Sequence, residues 1–418
     1  MSTATLHNEK KKTLVPQLRF QEFDEDWKEK KFSALLKEGR LGGNYENSES
    51  NNGIPVIKMG NLGRGEININ KIQCLPENID YNKEDILIKG DLLFNTRNTL
   101  ELVGKVSIWR NELPFALYNS NLMRMKFHNE IESSNVFMNY NFNTKNSINQ
   151  LRRFATGTTS VAAIYGKDLK SFNITFPTLP EQQKIASFLS AVDEKIQQLT
   201  RKVTLLEQYK KGVMQQLFSG KLRFKDENGK NYPEWEEKKL GDVLVKNSKK
   251  NKNQEFKLVQ SVSNKRGFVN QDEYFEDRII ASKDLSNYYV VQKGDFAYNP
   301  SRIDVGSLAY KFDNNTSVIS PLYISFKAVS NSLADAFLLE WFTTQQFTRQ
   351  MNSSFEGSVR NTLSYESLRK IDITFPCLEE QTKIANFLSS VDTKIESTNK
   401  QINQMQSFKK GLLQQMFC

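Results

Sequence analysis

Histidine is almost missing from this chain. Of its 418 residues only His7 and His128 carry an imidazole. A histidine general base, a Ser-His-Asp triad and a histidine-bearing zinc site all need that ring. One histidine lies in the N-terminal tail and the other just follows the strand-like residues 123–127, so neither joins a cluster. Cysteine is scarce too. Cys74, Cys377 and Cys418 show neither disulfide nor metal-ligand spacing, a usage that suits a reducing compartment. No stretch approaches the roughly 18 uninterrupted apolar residues of a membrane helix. Residues 1–15 carry lysines with no apolar run behind them, and read as a disordered tail rather than a signal peptide.

Catalytic signatures are also thin. Gly60-Asn61-Leu62-Gly63-Arg64-Gly65 is rich in glycine, but its spacing fits neither a phosphate loop nor a dinucleotide fingerprint, and a turn accounts for it. Asn299-Pro300-Ser301-Arg302 lacks the second proline and the aromatic ring of the amino-methyltransferase element. Glu29-x-Lys31 and Glu236-x-Lys238 match only the tail of a nuclease motif, with no Pro-Asp upstream. No metal site and no catalytic residue is expected.

What is present is aromatic residues, positive charge and repetition. The 28 Phe, 14 Tyr and 4 Trp suffice for real cores, and the formal net charge of +10 points to polyanion partners, chiefly nucleic acid. The strongest feature is a repeat. Phe176-Pro177-Thr178-Leu179-Pro180-Glu181-Gln182-Gln183-Lys184-Ile185-Ala186 is answered by Phe375-Pro376-Cys377-Leu378-Glu379-Glu380-Gln381-Thr382-Lys383-Ile384-Ala385, and the offset of 199 residues holds to Leu217-Phe218 and Met416-Phe417.

Both copies carry a heptad seam. Ile185, Leu189, Val192, Ile196, Leu199, Val203, Leu206, Val213 and Leu217 recur at a and d positions, with Lys210 interrupting. In the second copy the seam is Ile384, Leu388, Val391, Ile395, Ile402, Met405, Leu412 and Met416, interrupted by Thr398 and Lys409. An amphipathic helix packed on its own domain is the alternative for either copy alone, though the sustained heptad favours a coiled-coil seam. Two copies of equal length predict an antiparallel intramolecular coiled coil. In the register centred on Leu199 and Thr398, Lys210 faces Phe387 and Lys409 faces Phe188, each stem on a ring and each ammonium outward.

Before each helix lies a looser repeat. Trp27-Lys28-Glu29-Lys30-Lys31-Phe32 answers to Trp235-Glu236-Glu237-Lys238-Lys239-Leu240, and Lys89-Gly90-Asp91 to Lys293-Gly294-Asp295, with drifting offsets. Fixed helices and drifting loops are expected when the scaffold is constant and the reading surface free. Each module reads as mixed α/β (α+β), with short β-branched and aromatic runs, then one helix-like segment over residues 135–154 and 334–355. The predicted organisation is a tail at 1–15, modules at 16–178 and 221–377, and coiled-coil helices at 179–220 and 378–418.

Two copies of Pro-x-Leu-x-Glu-Gln-x-Lys-Ile-Ala-x-Phe-Leu-Ser-x-Val-Asp, each behind a module with a Lys-Gly-Asp landmark, resemble the specificity subunit of type I restriction-modification systems. The second copy departs slightly, with Glu379 where the first has Pro180. The resemblance implies two target recognition domains in pseudo-twofold tandem. Each would read one half of a split, asymmetric DNA sequence, with helices that set the spacing and dock modification subunits. It further implies that S-adenosylmethionine, ATP and Mg belong to partner subunits, two that methylate adenine and others that restrict and translocate DNA. This chain would bind no cofactor and act in the bacterial cytoplasm.

Reading residues are then sought among loop positions with long polar donors beside glycine. In the first module these are Lys58, Asn61, Arg64, Asn95, Arg97, Arg152, Thr158 and Thr159. In the second they are Lys265, Arg266, Asn299, Arg302, Arg360 and Asn361. Two other classes stay open, a coiled-coil interaction protein without a DNA role and a stand-alone nuclease or methyltransferase.

Overall fold

The computed structural model describes residues 14–45, 52–77, 79–128, 134–264, 266–271, 284–329, 331–355 and 361–418. The chain forms two compact units, one from the N-terminal residues to Thr200 together with Lys400–Cys418, the other Arg201–Asn399. Each unit is therefore a module plus parts of both long helices.

In the first unit a four-stranded antiparallel sheet runs in the order β2 (Leu36–Leu41), β9 (Leu122–Phe127), β5 (Leu92–Asn95), β7 (Val106–Ile108). Beside it β3 (Ile54–Ile57) pairs antiparallel with β4 (Gln73–Leu75) and parallel with β8 (Leu117–Tyr118). The second unit repeats this design. Its sheets run β14 (Leu244–Asn247), β21 (Ile324–Ala328), β18 (Phe296–Tyr298), β19 (Leu308–Tyr310), and β16 (Gly267–Asn270), β15 (Val259–Ser263), β20 (Ser317–Ile319), β17 (Tyr289–Val291).

A two-stranded clasp closes each module onto its helix. The charged runs after Trp27 and Trp235 form β1 (Lys28–Lys31) and β13 (Glu236–Lys239), pairing antiparallel with β12 (Asn173–Phe176) and β22 (Asp372–Phe375), which lead directly into the long helices. The Lys-Gly-Asp landmarks are the turns into β5 and β18. Gly90 and Gly294 have φ of +96° and +95°, the region glycine alone enters freely. Asp91 and Asp295 then accept the amides of Ile88 and Gln292, at 3.0 and 2.6 Å, closing the turn.

The single helix-like segment of each module is two helices. Asn135–Phe142 ends before Thr144, whose hydroxyl caps Lys145–Phe154 by accepting the Ser147 amide at 3.2 Å. Thr344 does the same between Asp335–Trp341 and Gln345–Ser353, accepting from Phe347 at 3.2 Å. An N-cap threonine inside a helix-like segment breaks it, because its side chain satisfies one of the amides a new helix start leaves open.

The central helix spans Leu179–Phe218 (40 residues) and the C-terminal helix Leu378–Gln415 (38 residues). In the first unit Ile185, Leu189 and Val192 share one buried cluster with Leu412, Met416, Phe417 and the module's Phe32, Phe94, Phe137 and Phe142. In the second, Leu217 and Phe218 share a cluster with Ile384, Leu388, Phe296, Phe326 and Trp341. Within each unit the end of one helix thus lies beside the start of the other, so the two run antiparallel. A Leu side chain so buried contributes about 2 kcal/mol.

The lysines in the seam do not send their ammonium groups outward. Lys210 Nζ stands 2.7 Å from Asp392 and 3.1 Å from Glu340, while Phe387 packs on Tyr209 instead. Lys409 Nζ stands 2.6 Å from Asp193, and Phe188 packs on Phe20. A half-buried ammonium without an anion is costly, and the carboxylates offer what the rings do not.

Candidate nucleic-acid interface

The motif residues of the repeat fasten the helices to the modules. Glu181 is buried and binds Arg19 through both oxygens, at 2.8 Å to Nε and 2.7 Å to Nη2, and takes the Trp27 indole N–H at 3.3 Å. Gln182 donates to the Pro177 carbonyl at 2.9 Å and accepts the Ser134 amide at 3.1 Å, at the start of helix Asn135–Phe142. The second unit repeats both contacts. Glu380 holds Arg223 at 3.3 and 2.8 Å; Gln381 donates to Pro376 at 2.7 Å and accepts from Ala334 at 2.7 Å. Glu-Gln is therefore a fastening, leaving the module loops as the free surface.

In the first unit the loop after β3 is pinned from several sides. Asn61 is buried, accepting the Lys58 amide at 3.0 Å and donating to the carbonyls of Asn68 and Lys71 at 2.9 and 3.0 Å. Lys58 is half-buried and its ammonium is hydrogen-bonded to Gln73. Lys105 donates to Leu62 O at 3.1 Å, Ser107 to Gly63 O at 3.1 Å, and Arg110 and Asn139 to Gly65 O at 3.0 and 3.1 Å. These bonds fix the glycine-rich turn with Arg64 near its tip. Gly65 has φ +94°, and an added Cβ would meet Asn139 Nδ2 at 3.4 Å. Gly65→Ala is expected to cost about 1–2 kcal/mol, read by urea unfolding, chiefly from the left-handed backbone.

Asn95 is fully buried and accepts the Arg97 amide at 3.1 Å, so it shapes the turn that presents Arg97. Arg97 lies on β6 (Arg97–Asn98), which pairs with β11 (Ala162–Ala163) and through it with β10 (Thr156–Gly157). Thr158 and Thr159 occupy the hairpin tip, and the Leu100 amide donates to Thr159 O at 3.1 Å. Arg97, Thr158 and Thr159 are thus gathered, exposed, on one small sheet. Exposed Arg152 stands in the last turn of the helix that runs into it.

In the second unit Asn299 accepts the Ser301 amide at 3.0 Å, and the Leu363 amide donates to Pro300 O at 3.0 Å. Gly306 (φ +90°) faces Asn264. The turn bearing Arg266, the loop bearing Asn299 and Arg302, and the segment after Asn361 therefore converge. Arg266, Arg302 and Asn361 are exposed, and Asn299 is half-buried. Lys265 and Arg360 lie outside the described residues.

Two features escaped the sequence. Lys105 belongs beside Arg64 but stands alone in the chain, with no glycine motif to flag it. Lys311 is fully buried, 2.8 Å from Gln260 Oε1 and 2.8 Å from Asp313, with the Phe268 ring 5.5 Å away. It backs a cavity of about 370 Å³ lined by Gln260, Arg266, Phe268, Asn270 and Asp313 among others. Burial works against ionising Asp313, but the Lys311 ammonium prevails and holds that carboxyl below its ordinary range.

Among the described residues no group of His, Cys, Asp and Glu could hold a metal ion, and no helix is long and apolar enough to cross a membrane. Cys74, Cys377 and Cys418 are free thiols. Basic, polar loops carried on two copies of one helical scaffold define a tandem recognition protein.

The comparisons with known proteins place it further. The model of a family described as type I restriction modification DNA specificity domain matches residues 24–208 and again 232–407. The chain belongs to that family. It is similar to the putative type I restriction enzyme MjaX specificity subunit of Methanocaldococcus jannaschii, 24% identical with 94% of this chain and 93% of that protein covered. The MjaVIII specificity subunit of the same organism is 25% identical, covering 79% of each. Among solved structures, the S subunit of a type I restriction-modification system from M. genitalium superposes with a TM-score of 0.57 at 16% identity, covering 97% of this chain and 99% of that one. The fold is shared: two domains in tandem with long helices.

Proposed function

We propose that this chain is the address subunit of a type I restriction-modification complex. Each module reads one half of a bipartite, asymmetric duplex target, and the helices set the gap and dock two adenine-methylating subunits. The observation that carries this reading is the contrast between the two kinds of repeat. The helix fastenings recur residue for residue at a constant offset, Glu181 with Glu380 and Gln182 with Gln381, whereas the loops above them differ in length and sequence. At 1.5 Å per residue the 40-residue central helix is about 60 Å long. That matches more than one turn of duplex, leaving room for unread base pairs between half-sites.

In this reading the chain does no covalent chemistry. S-adenosylmethionine, ATP and Mg are held by the modification and restriction subunits, and the assembly works in the bacterial cytoplasm. Arg97, Arg302 and the hairpin threonines meet the DNA; an Arg that reads guanine should cost roughly 1–3 kcal/mol on substitution and relax one base position.

The test is base-resolved adenine methylation in a host free of other such systems, with this chain co-expressed with its modification subunit. One split motif, methylated on both strands and lost when this chain is omitted, is expected. A soluble complex that methylates no motif would favour a coiled-coil interaction protein. Turnover by the chain alone would identify a self-sufficient enzyme.

A further inference from the structure

We propose that Arg64, Lys105 and Arg152 form one phosphate-binding site in the first unit, and that the matching positions among the described residues of the second unit form no equivalent. Backbone anchoring is then concentrated on the half-site the first unit reads. This inference rests on the DNA-reading function above and goes further, in assigning a ligand group to three residues and an asymmetry to the two modules.

The three cations are brought together by the packing around β7. The Gly65 amide, next to Arg64, donates to Val106 O at 2.8 Å, and Lys105 reaches back to Leu62 O at 3.1 Å. Gly104 abuts Leu151, one residue before Arg152: an added Cβ there would stand 3.5 Å from the Leu151 side chain. The ion pairs of this unit lie elsewhere, such as Arg40–Asp85, Arg124–Asp91 and Lys126–Glu38. Among the described residues no carboxylate pairs with Arg64, Lys105 or Arg152. Arg64 Nη1 is buried without an acceptor. Burial, then the charge of Arg152, draws the Arg64 guanidinium below its ordinary value; burial, then Arg64, does the same to Lys105. Arg64 thus stands between two cations that it repels, with no protein anion to answer them, and a phosphate placed at Arg64 relieves both repulsions at once. A base edge would engage one guanidinium and leave the repulsion in place.

The second unit keeps the framework but has lost two of the three charges at the matching positions. The Asn95 amide donates to Lys105 O at 2.8 Å, and the Asn299 amide to Ser307 O at 3.0 Å, which makes Ser307 the counterpart of Lys105. Gln150 accepts the Asn173 amide as Gln350 accepts that of Asp372, which makes Asn352 the counterpart of Arg152. Arg266 precedes positive-φ Gly267 as Arg64 precedes Gly65. Of the three cations only that arginine is kept.

The test uses the full chain with its modification subunits, bound to duplexes carrying the methylated motif, with affinity measured across salt. Arg64→Gln with Arg152→Gln should lower the slope of log affinity against log salt by roughly 1 while leaving the motif unchanged. Neutral methylphosphonates, placed singly along the first half-site, should reveal one phosphate that matters to the wild type and not to the double variant. Arg64→Lys should retain most of the slope. The proposal is overturned if the slope and phosphate scan are unchanged, or if the variants relax a base position instead. It is equally overturned if Arg64→Gln only lowers thermal stability, since Arg64 would then serve the Asn139 and Asn143 oxygens, which are also buried without a donor. Wild type that binds no specific duplex would instead overturn the DNA-reading function itself.

Discussion

Glu181→Ala is expected to unfasten the first unit, at a cost of about 3–5 kcal/mol, the range for removing one partner of a buried ion pair. The carboxylate is 1% exposed, and the Arg19 side chain that clamps it is 11% exposed. Alanine leaves the guanidinium facing a protein interior, retaining only the Glu25 carbonyl that Nη2 also reaches. It also strips the Trp27 indole of its acceptor, adding a second unsatisfied donor. Glu181→Gln keeps an acceptor in place and should cost less. Peptide-resolved hydrogen exchange locates the damage: faster exchange is expected around Trp27 and along the first turns of the central helix. Peptides around Trp235 and Glu380 should stay as in the wild type. Uniform protection in Glu181→Ala would mean that the clasp strands β1 and β12 hold the helix without the carboxylate. Glu380→Ala should be the milder change, because Arg223 is the more exposed of the two arginines and Trp235 Nε1 has no partner to lose.

The helices were legible in the sequence because their signal is periodic and doubled. A heptad seam at a constant offset leaves little room for another structure, and it is the seam that enters the two aromatic cores. What the Glu-Gln pair does was not legible. Its partners, Arg19 and Arg223, lie more than 150 residues upstream, and nothing local distinguishes a buried carboxylate from a solvated one at a helix start. The break at Thr144 and Thr344 is hidden for a related reason: a threonine within a helix-like segment looks like a tolerated helix residue until its hydroxyl is seen to cap. The loop surface was legible in composition only. Choosing long polar residues beside glycine located the turn of Arg64 and the hairpin of Thr158, but the same rule picked out Asn61 and Asn95. Asn61 spends its amide on the backbone of its own loop and Asn95 its carbonyl oxygen on the Arg97 amide, because an asparagine is as good at building a turn as at reading a base. Lys105 shows the converse. It matters through its neighbours in space, which no window along the chain contains.

The lysines in the seam should separate the two units by pH. Lys210→Met is expected to destabilise the second unit by about 2 kcal/mol at neutral pH, below the cost of breaking a fully buried pair because Asp392 stays partly wetted. In the wild type, burial pulls the Lys210 ammonium down, but its bonds to Asp392 and Glu340 outweigh this and hold it above the ordinary lysine value. Its contribution is therefore complete at neutral pH and is lost only as pH rises through that raised value. Glu340 stands the other way. Burial pushes its carboxyl up, and Lys210 is what restrains the rise. Without the lysine the folded state binds a proton at Glu340 still more tightly than the unfolded chain does. Stability lost at neutral pH should therefore be recovered as pH falls through the raised Glu340 value, and Lys210→Met with Glu340→Gln should recover part of it at neutral pH already. The first unit has no second carboxylate in this place. Lys409 meets Asp193, which also accepts the Tyr140 hydroxyl at 2.8 Å, and the Tyr140 ring lies 5.6 Å from the ammonium. Lys409→Met thus leaves a single carboxylate that keeps a donor, and should cost less and vary less between pH 5 and 8. Hydrogen exchange of each unit across that range would decide it. Equal losses with equal pH dependence in the two variants would mean that the lysines matter for their packing, and that the exchange of Tyr140 for Glu340 between the repeats has no electrostatic consequence.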